Sequence, residues 1–424
     1  MKLVSKHHSD YQEACTGWNR AINHAPTLIA FCESNQDIIS AIKLAKHHKL
    51  PICVRSGRHH YEGDSYKDGS FVLDVSQLQT IQLDEIAQTV TIAAGVQNRQ
   101  LYDTLAEHNY PFPGGGCPTV GVVGFTLGGG WGYSSRYLGL GCDNLIAAEV
   151  ILWDGTVLLV DAHQHPELFW SLRGGGISVG VVSKMTYRLP KKEPIATRIF
   201  LDYQLPNNEA ATTLLLWYQE WFPSLPRLIN MKIVLYRNQQ QILGIKLTGI
   251  AYADERETKK LLAPLLKQPF LVTNDCKSGP VILANRWIQD NHPEFEYYKS
   301  GGRFVAKGLT EIQWRMLGKW LSQMPIEATY AAFTLYGLGG AVTDLSPVAT
   351  AFAYREMQFI FGSQIVWENP EVTKSCQTWL QNHWPAIEMM STGSFLNFPL
   401  HPQAETNYYG QHFTQIQQIT QQYS

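Results

Sequence analysis

Apolar and polar positions alternate along this chain with two periods, and the balance between them shifts partway along. Residues 36–48, QDIISAIKLAKHH, return an apolar side chain every three or four positions, which predicts an amphipathic helix. LPICVRS (50–56) then reads as a buried strand, SFVLDVSQL (70–78) as a second and TVTIAAGVQ (89–97) as a third, before 98–109 returns to helical spacing. This β/α texture, broken by glycine-rich loops, continues to about residue 190. There SVGVVSKMTYRLP (178–190) closes as a strand, followed by the charged stretch KKEP.

From about 193 to 385 strand-like runs dominate: RIFLDYQL (198–205), MKIVLYR (231–237), ILGIKLTGIAYA (242–253) and ATYAAFTLYG (328–337). Helical patterns such as ERETKKLLAPLL (255–266) and EIQWRMLGKWL (311–321) fall between them. That mixture predicts an antiparallel sheet with helices packed on one side. The tail carries GSFLNFP (393–399) and a helical NYYGQHFTQIQQITQQ (407–422). The predicted class is α+β, in three parts: a cofactor half over 1–192, a substrate half over 193–388 and a closing segment over 389–424.

Composition narrows the function classes. The chain has 424 residues, 45% hydrophobic and 17% charged, with a formal net charge of -2, which implies neither a nucleic-acid nor an anionic-membrane partner. It contains no run of 18 apolar residues, and its first residues lack a secretory h-region, so a cytoplasmic enzyme is the expectation. Seven cysteines are scattered without a C-x-x-C pair, as expected of reduced thiols. Twelve Trp and 20 Tyr equip the chain to line a pocket for a planar or sugar-like ligand. Trp217, Tyr218, Tyr236, Trp314, Tyr336, Phe361 and Trp367 are the pocket candidates.

Familiar cofactor and zinc motifs are missing. The chain has no G-x-G-x-x-G, no P-loop and no H-E-x-x-H. Two small-residue loops remain. In VRSGRHH (54–60), Ser56 and Gly57 can turn backbone N–H groups into a nest suited to a pyrophosphate. In GGGCPTVGVVGFTLGGGWG (114–132), glycines allow the backbone to approach a flat ligand closely. Each loop alone reads more often as an ordinary turn, and Cys117 alone more often as a buried structural thiol.

Together the loops resemble the berberine-bridge-enzyme-like flavoprotein oxidases of the vanillyl-alcohol-oxidase superfamily. The order S-G-[GR]-H, then G-x-C-P-T-V-G-x-x-G-x-x-L-G-G-G, is similar to that family's pattern. So are LGLGCDNLIAAEVILWDGTVL, HPELFWSLRGGGISVGVVSKMTYRL, GLGGAVTDLSPVATAFAYR and NYYGQHF. The resemblance implies a PCMH-type FAD-binding domain of two α+β subdomains over 1–192. It implies a substrate domain with a helix-covered antiparallel sheet over 193–388, and a tail over 389–424 returning to the FAD domain. It further implies FAD bonded to His59 and Cys117. Arg55, Ser56, Gly57, Arg58 and His60 would surround the pyrophosphate, although His60 also reads as a plain polar loop residue. Gly116, Val120, Gly121, Gly124, Gly128, Gly129 and Gly130 would line the ring and ribityl chain. Cys142, Asp143, Gly180 and Val182 would approach the adenine, and Asn397, Tyr408 and Tyr409 would return to the flavin. Val120 resembles the gate residue of dioxygen-using members, which implies a small-molecule oxidase that releases hydrogen peroxide.

The chain departs from the family in its tail. Where many members carry Y-x-N-Y, it has Phe395-Leu396-Asn397-Phe398, so the usual phenol base is missing. Tyr336 and His401 are the candidate replacements, each reading otherwise as strand packing and a surface loop. The lost phenol also keeps open a flavoprotein of low turnover with a coat, storage or protective role.

Overall fold

The computed structural model describes residues 1–424. Two sheets form before residue 190. Lys2–Val4, Leu28–Phe31, Phe71–Asp74 and Ile52–Arg55 lie side by side in that order, the last three parallel. The helix Asn35–His47 lays Ile38, Ala41, Ile42 and Ala45 into the core beside this sheet. Its N-terminus is closed by the Ser34 hydroxyl, which accepts the Asp37 N–H. The second sheet is antiparallel, in the order Ile81–Asp84, Thr89–Ala93, Gly180–Arg188, Leu145–Leu152, Val157–Asp161.

The rest of the chain builds an eight-stranded antiparallel sheet. Its order is Leu271–Pro280, Ile195–Gln204, Leu243–Ala251, Ile229–Asn238, Ala328–Gly337, Phe359–Trp367, Tyr297–Val305 and Thr392–Ser394. Period-two alternation gives this sheet two different faces. Met231, Ile233, Leu235, Phe333, Leu335, Phe361 and Ile365 enter the core with the helices Asn208–Trp221, Glu311–Leu321 and Thr373–Met389. On the opposite face, Ile250, Phe304 and Ile360 pack with Trp131, Tyr133, Leu140 and Cys142 of the first half. The candidate site lies on that second side.

Five of the seven aromatic pocket candidates are corrected by this arrangement. Tyr218, Trp314, Phe361 and Trp367 are core residues on the helix-covered side, with Trp217 packed against that core. Tyr236 and Tyr336 alternate onto the other face. Two predicted helices are also broken. Residues 255–266 divide into Glu255–Leu261 and Ala263–Leu266, with Pro264 in the first turn of the second, where its missing N–H costs nothing. The tail divides into Glu405–Tyr409 and Phe413–Tyr423 at Gly410, which takes φ +50°.

The tail binds both halves. Thr392–Ser394 adds a strand to the edge of the large sheet, while Ile419 enters the core of the second small sheet. Lys299 on the large sheet and Glu62 on the histidine loop form an ion pair at 2.7 Å, both almost fully buried. No helix is long and apolar enough to cross a membrane.

Candidate functional site

The two small-residue loops touch. A Cβ on Gly57 would fall 2.5 Å from Thr119 O, and one on Gly121 would fall 2.6 Å from Ser56 Oγ, so glycine is required at both crossing points. The Ser56 hydroxyl is itself anchored by donating to Ala94 O at 2.7 Å. The helix Asn98–Ala106 holds the cysteine loop from behind. Asn98 N–H donates to Val120 O at 3.0 Å, Arg99 N–H to Pro118 O at 2.9 Å, and the Asn98 amide to Cys117 O at 3.0 Å. Across the junction, His59 Nε2 lies 2.7 Å from Thr119 Oγ1. Trp18 donates its N–H to Arg58 O and stacks on the His59 ring at 5.3 Å.

A third loop, from the substrate half, completes the cluster. The helix Val281–Asp290 is fastened to Asn98–Ala106 by the ion pairs Arg99–Asp290 and Arg286–Asp103. Beyond it, Trp18 Nε1–H donates to Pro293 O at 3.1 Å, Glu296 N–H to Trp18 O, and Arg20 N–H to Glu296 O. So held, His292 places Nδ1 3.2 Å from Cys117 Sγ.

Burial sets the protonation states here. It pushes the Cys117 thiol up to about 12, with Lys232 opposing and Glu296 assisting. It pushes His59 down to about 3, helped by His292, and His292 down to about 4, helped by Lys232. It also lifts the Glu296 carboxyl to about 7 against the pull of Lys232. Thiol and imidazoles are therefore neutral at pH 7, while Glu296 is near half-ionised. Tyr61, Tyr133, Tyr298 and Tyr336 are all raised by burial and complete the walls. The Phe398 ring sits between Tyr61 and Tyr336, at 5.9 and 5.2 Å.

The structure brings His59, Cys117 and Tyr336 near one another, with His59 and Cys117 both beside His292 and Tyr336 close enough to sense Cys117. Not every expected residue joins them. Arg55 is corrected: its fully buried guanidinium binds Asp74 at 2.7 Å and Ala14 O at 2.7 Å, which removes its side chain from any pyrophosphate. Arg58, at φ +61°, turns toward the same Asp74. His401 is corrected too, since its Nε2 lies 2.8 Å from Asp64 at the surface. His60 faces that aspartate at 3.7 Å. Asp143 pairs with Arg355 and caps Leu140 N–H, with the fully buried Cys142 thiol against it, so this pair serves the core. Gly180 crosses directly over Ile151, and the Val182 side chain is buried in the sheet core.

Among the glycines expected to line a flat ligand, only Gly124 faces open space; the Cβ positions of Gly128, Gly129 and Gly130 are taken by Asn397, Phe352 and Phe125. A Cβ on Gly124 would meet nothing within 4 Å, whereas Gly116 stands 3.3–3.4 Å from Tyr133 and His292 by the same measure. Gly129 and Gly130 take φ +106° and +82°, and Asn397 bridges the Gly130 N–H and Phe125 O at 3.0 and 3.2 Å. Gly128 packs against the Asn397 amide. Val120 is half-buried between the two loops. Tyr408 and Tyr409 stay on the tail helix, the former with a buried hydroxyl that has no partner.

His292, Glu296, Lys232, Trp18 and Tyr61 are members of the site that sequence reading missed. The only available signal was alternation: Lys232 faces away from Met231 and Ile233, as a cation within the apolar stretch MKIVLY.

Comparison with known proteins agrees with this geometry. Residues 26–161 match the FAD binding domain family. An uncharacterized FAD-linked oxidoreductase of Bacillus subtilis, YgaK, is 29% identical over 94% of this chain and 88% of its own length. The solved structure of BBE-like 1 from Physcomitrella patens superposes with TM-score 0.89 at 22% identity, covering 99% of this chain and 94% of that one. The glucooligosaccharide oxidase of Acremonium strictum superposes with TM-score 0.90 at 20% identity, over 100% and 93%. That oxidase is described as holding a 6-S-cysteinyl, 8α-N1-histidyl FAD. With a flavin-domain match over residues 26–161, a relative aligned nearly end to end and a shared fold, the chain is similar to FAD-linked oxidoreductases and has the berberine-bridge-enzyme-like fold.

Proposed function

We propose that the protein oxidises a hydroxyl-bearing carbon of a sugar, alcohol or similar carbinol, with FAD joined to His59 and Cys117 and dioxygen leaving as hydrogen peroxide. One observation carries this reading: His59 and Cys117, 58 positions apart in sequence, stand on two loops that touch, and both neighbour His292. Bound there, FAD supplies the acceptor for the substrate hydride. The chain supplies the rest. Neutral His59 keeps a free ring-nitrogen lone pair when its Nε2–H donates to Thr119. Asn397 braces the Gly128–Gly130 turn. Tyr61, Tyr298 and Tyr336 offer flat walls and hydroxyls, which suit a sugar; similarity to a glucooligosaccharide oxidase supports the same class.

Glu296 takes the place of the missing phenol as acceptor of the substrate hydroxyl proton. Its carboxyl titrates near neutrality, while burial carries the Tyr336 phenol the wrong way for a base. The test is acid precipitation of the purified protein, then a peroxide assay over a panel of sugars and alcohols. A yellow pellet and peroxide release are expected. A colourless pellet with free flavin would refute covalent attachment. A yellow protein inert across the panel would favour the low-turnover role.

A further inference from the structure

Cys117 has a basic neighbour that its own loop does not supply. We infer that His292 takes the proton from the Cys117 thiol as that sulfur joins the flavin ring, acting as the base of a self-modification step and not of substrate oxidation. The inference rests on the covalent attachment proposed above and adds the residue that makes it happen.

A thiol must lose its proton to act as a nucleophile. With the Cys117 thiol pushed up to about 12, only about one molecule in 10⁵ is ionised at pH 7. The ring nitrogens of His292 lie 3.2 and 3.7 Å from Sγ, so the thiol can donate directly to Nδ1. His292 is neutral at pH 7, so a ring-nitrogen lone pair faces the thiol; burial weakens it as a base, and the proton therefore moves as the sulfur–carbon bond forms rather than before it. The charged and titratable groups around the pair are Lys232 and Tyr336 from the sheet, Glu296 and Tyr298 from the 292–298 segment, His59 and Tyr61 opposite and Tyr133 behind Gly116. Of these, His292 is the one within hydrogen-bonding reach of the sulfur. Its position is imposed by the 281–290 helix on one side and the Trp18 bonds to Pro293 and Glu296 on the other.

The step balances with dioxygen as oxidant. The Sγ–H bond breaks and its proton passes to His292, and a bond from sulfur to ring carbon C6 replaces the C6–H bond. The two electrons and two protons released leave with dioxygen as hydrogen peroxide.

The test compares the full-length parent with His292→Gln, each loaded with FAD, denatured, treated with iodoacetamide and mapped by peptide mass. The parent is expected to show one FAD linking both peptides and an unlabelled Cys117. The variant is expected to keep FAD on His59, which also reports correct folding, while Cys117 becomes labelled in most molecules. Link formation after adding FAD to flavin-free protein should slow by at least about 100-fold at pH 7. A variant linked at the parental rate and yield would overturn the role of His292 while leaving covalent attachment standing. A parent with free Cys117 would overturn both. The parent alone gives a check without substitution. Its linking rate should be level from pH 6 to 9, and a tenfold rise per pH unit across that range would refute an internal base.

Discussion

Glu296 offers a test in which activity and stability move in opposite directions. Its carboxyl titrates near 7 because burial disfavours the charge more than Lys232 favours it. About a tenth is ionised at pH 6 and about nine tenths at pH 8. If the carboxylate takes the substrate proton, kcat/KM should climb through that window and level off above pH 8. Glu296→Gln keeps the shape and removes the base, so a loss of about 10²–10⁴ in kcat/KM is expected, with a residual rate that no longer follows pH 7. Stability follows the opposite sign. The folded carboxyl binds its proton more tightly than the unfolded one, so its contribution is fully present below about pH 4.5 and lost as pH rises toward 7. Moving from the ordinary 4.5 to about 7 corresponds to about 3 kcal/mol of cost at pH 8, which glutamine does not incur. The variant should therefore resist urea better than the parent at pH 8, by up to about 3 kcal/mol, and show no such gain at pH 4.5. Peroxide release from pH 5 to 9 and urea unfolding at the two pH values are the assays. A variant that retains activity, or is less stable than the parent at pH 8, would refute the assignment.

Three other substitutions probe the frame around that group. Lys299→Met leaves Glu62 buried without its partner and should cost about 3–5 kcal/mol in urea unfolding. Lys299→Met with Glu62→Met should recover most of that cost, and no recovery would mean the pair acts through packing. Gly57→Ala drives a methyl group into the Thr119 backbone, which should cost about 1–3 kcal/mol and reduce doubly linked FAD, read by peptide mass. Unchanged linkage would show that the two loops meet loosely. Phe398→Tyr restores a phenol between Tyr61 and Tyr336; with Glu296 as base, kcat should change less than about tenfold, and a larger rise would return the role to the tail.

Local pattern carried much of the architecture. The helix at 36–48, the strands at 50–56, 70–78 and 89–97 and the antiparallel runs after 193 were legible because periods of 3.6 and 2 are written within a few residues. The loops bearing His59 and Cys117 were legible for a related reason, since the glycines that let two backbones cross are local demands. Side-chain commitments were not legible there. Arg55 read as a phosphate ligand until Asp74 claimed it in the core, and His401 as a base until Asp64 held it at the surface. Aromatic residues of the substrate half looked alike until sheet alternation sent Phe361 and Trp367 into the core and left Tyr336 facing the site.

The sequence by itself determined the class of fold, the flavin loops and the lack of a phenol at 398. Only the tertiary structure decided that His292 reaches Cys117 and that Glu296 is a half-buried carboxyl near Lys232. Those residues come from a loop more than 170 positions from the cysteine. Their chemistry depends on desolvation and on which charges end up as neighbours, and long-range packing creates both.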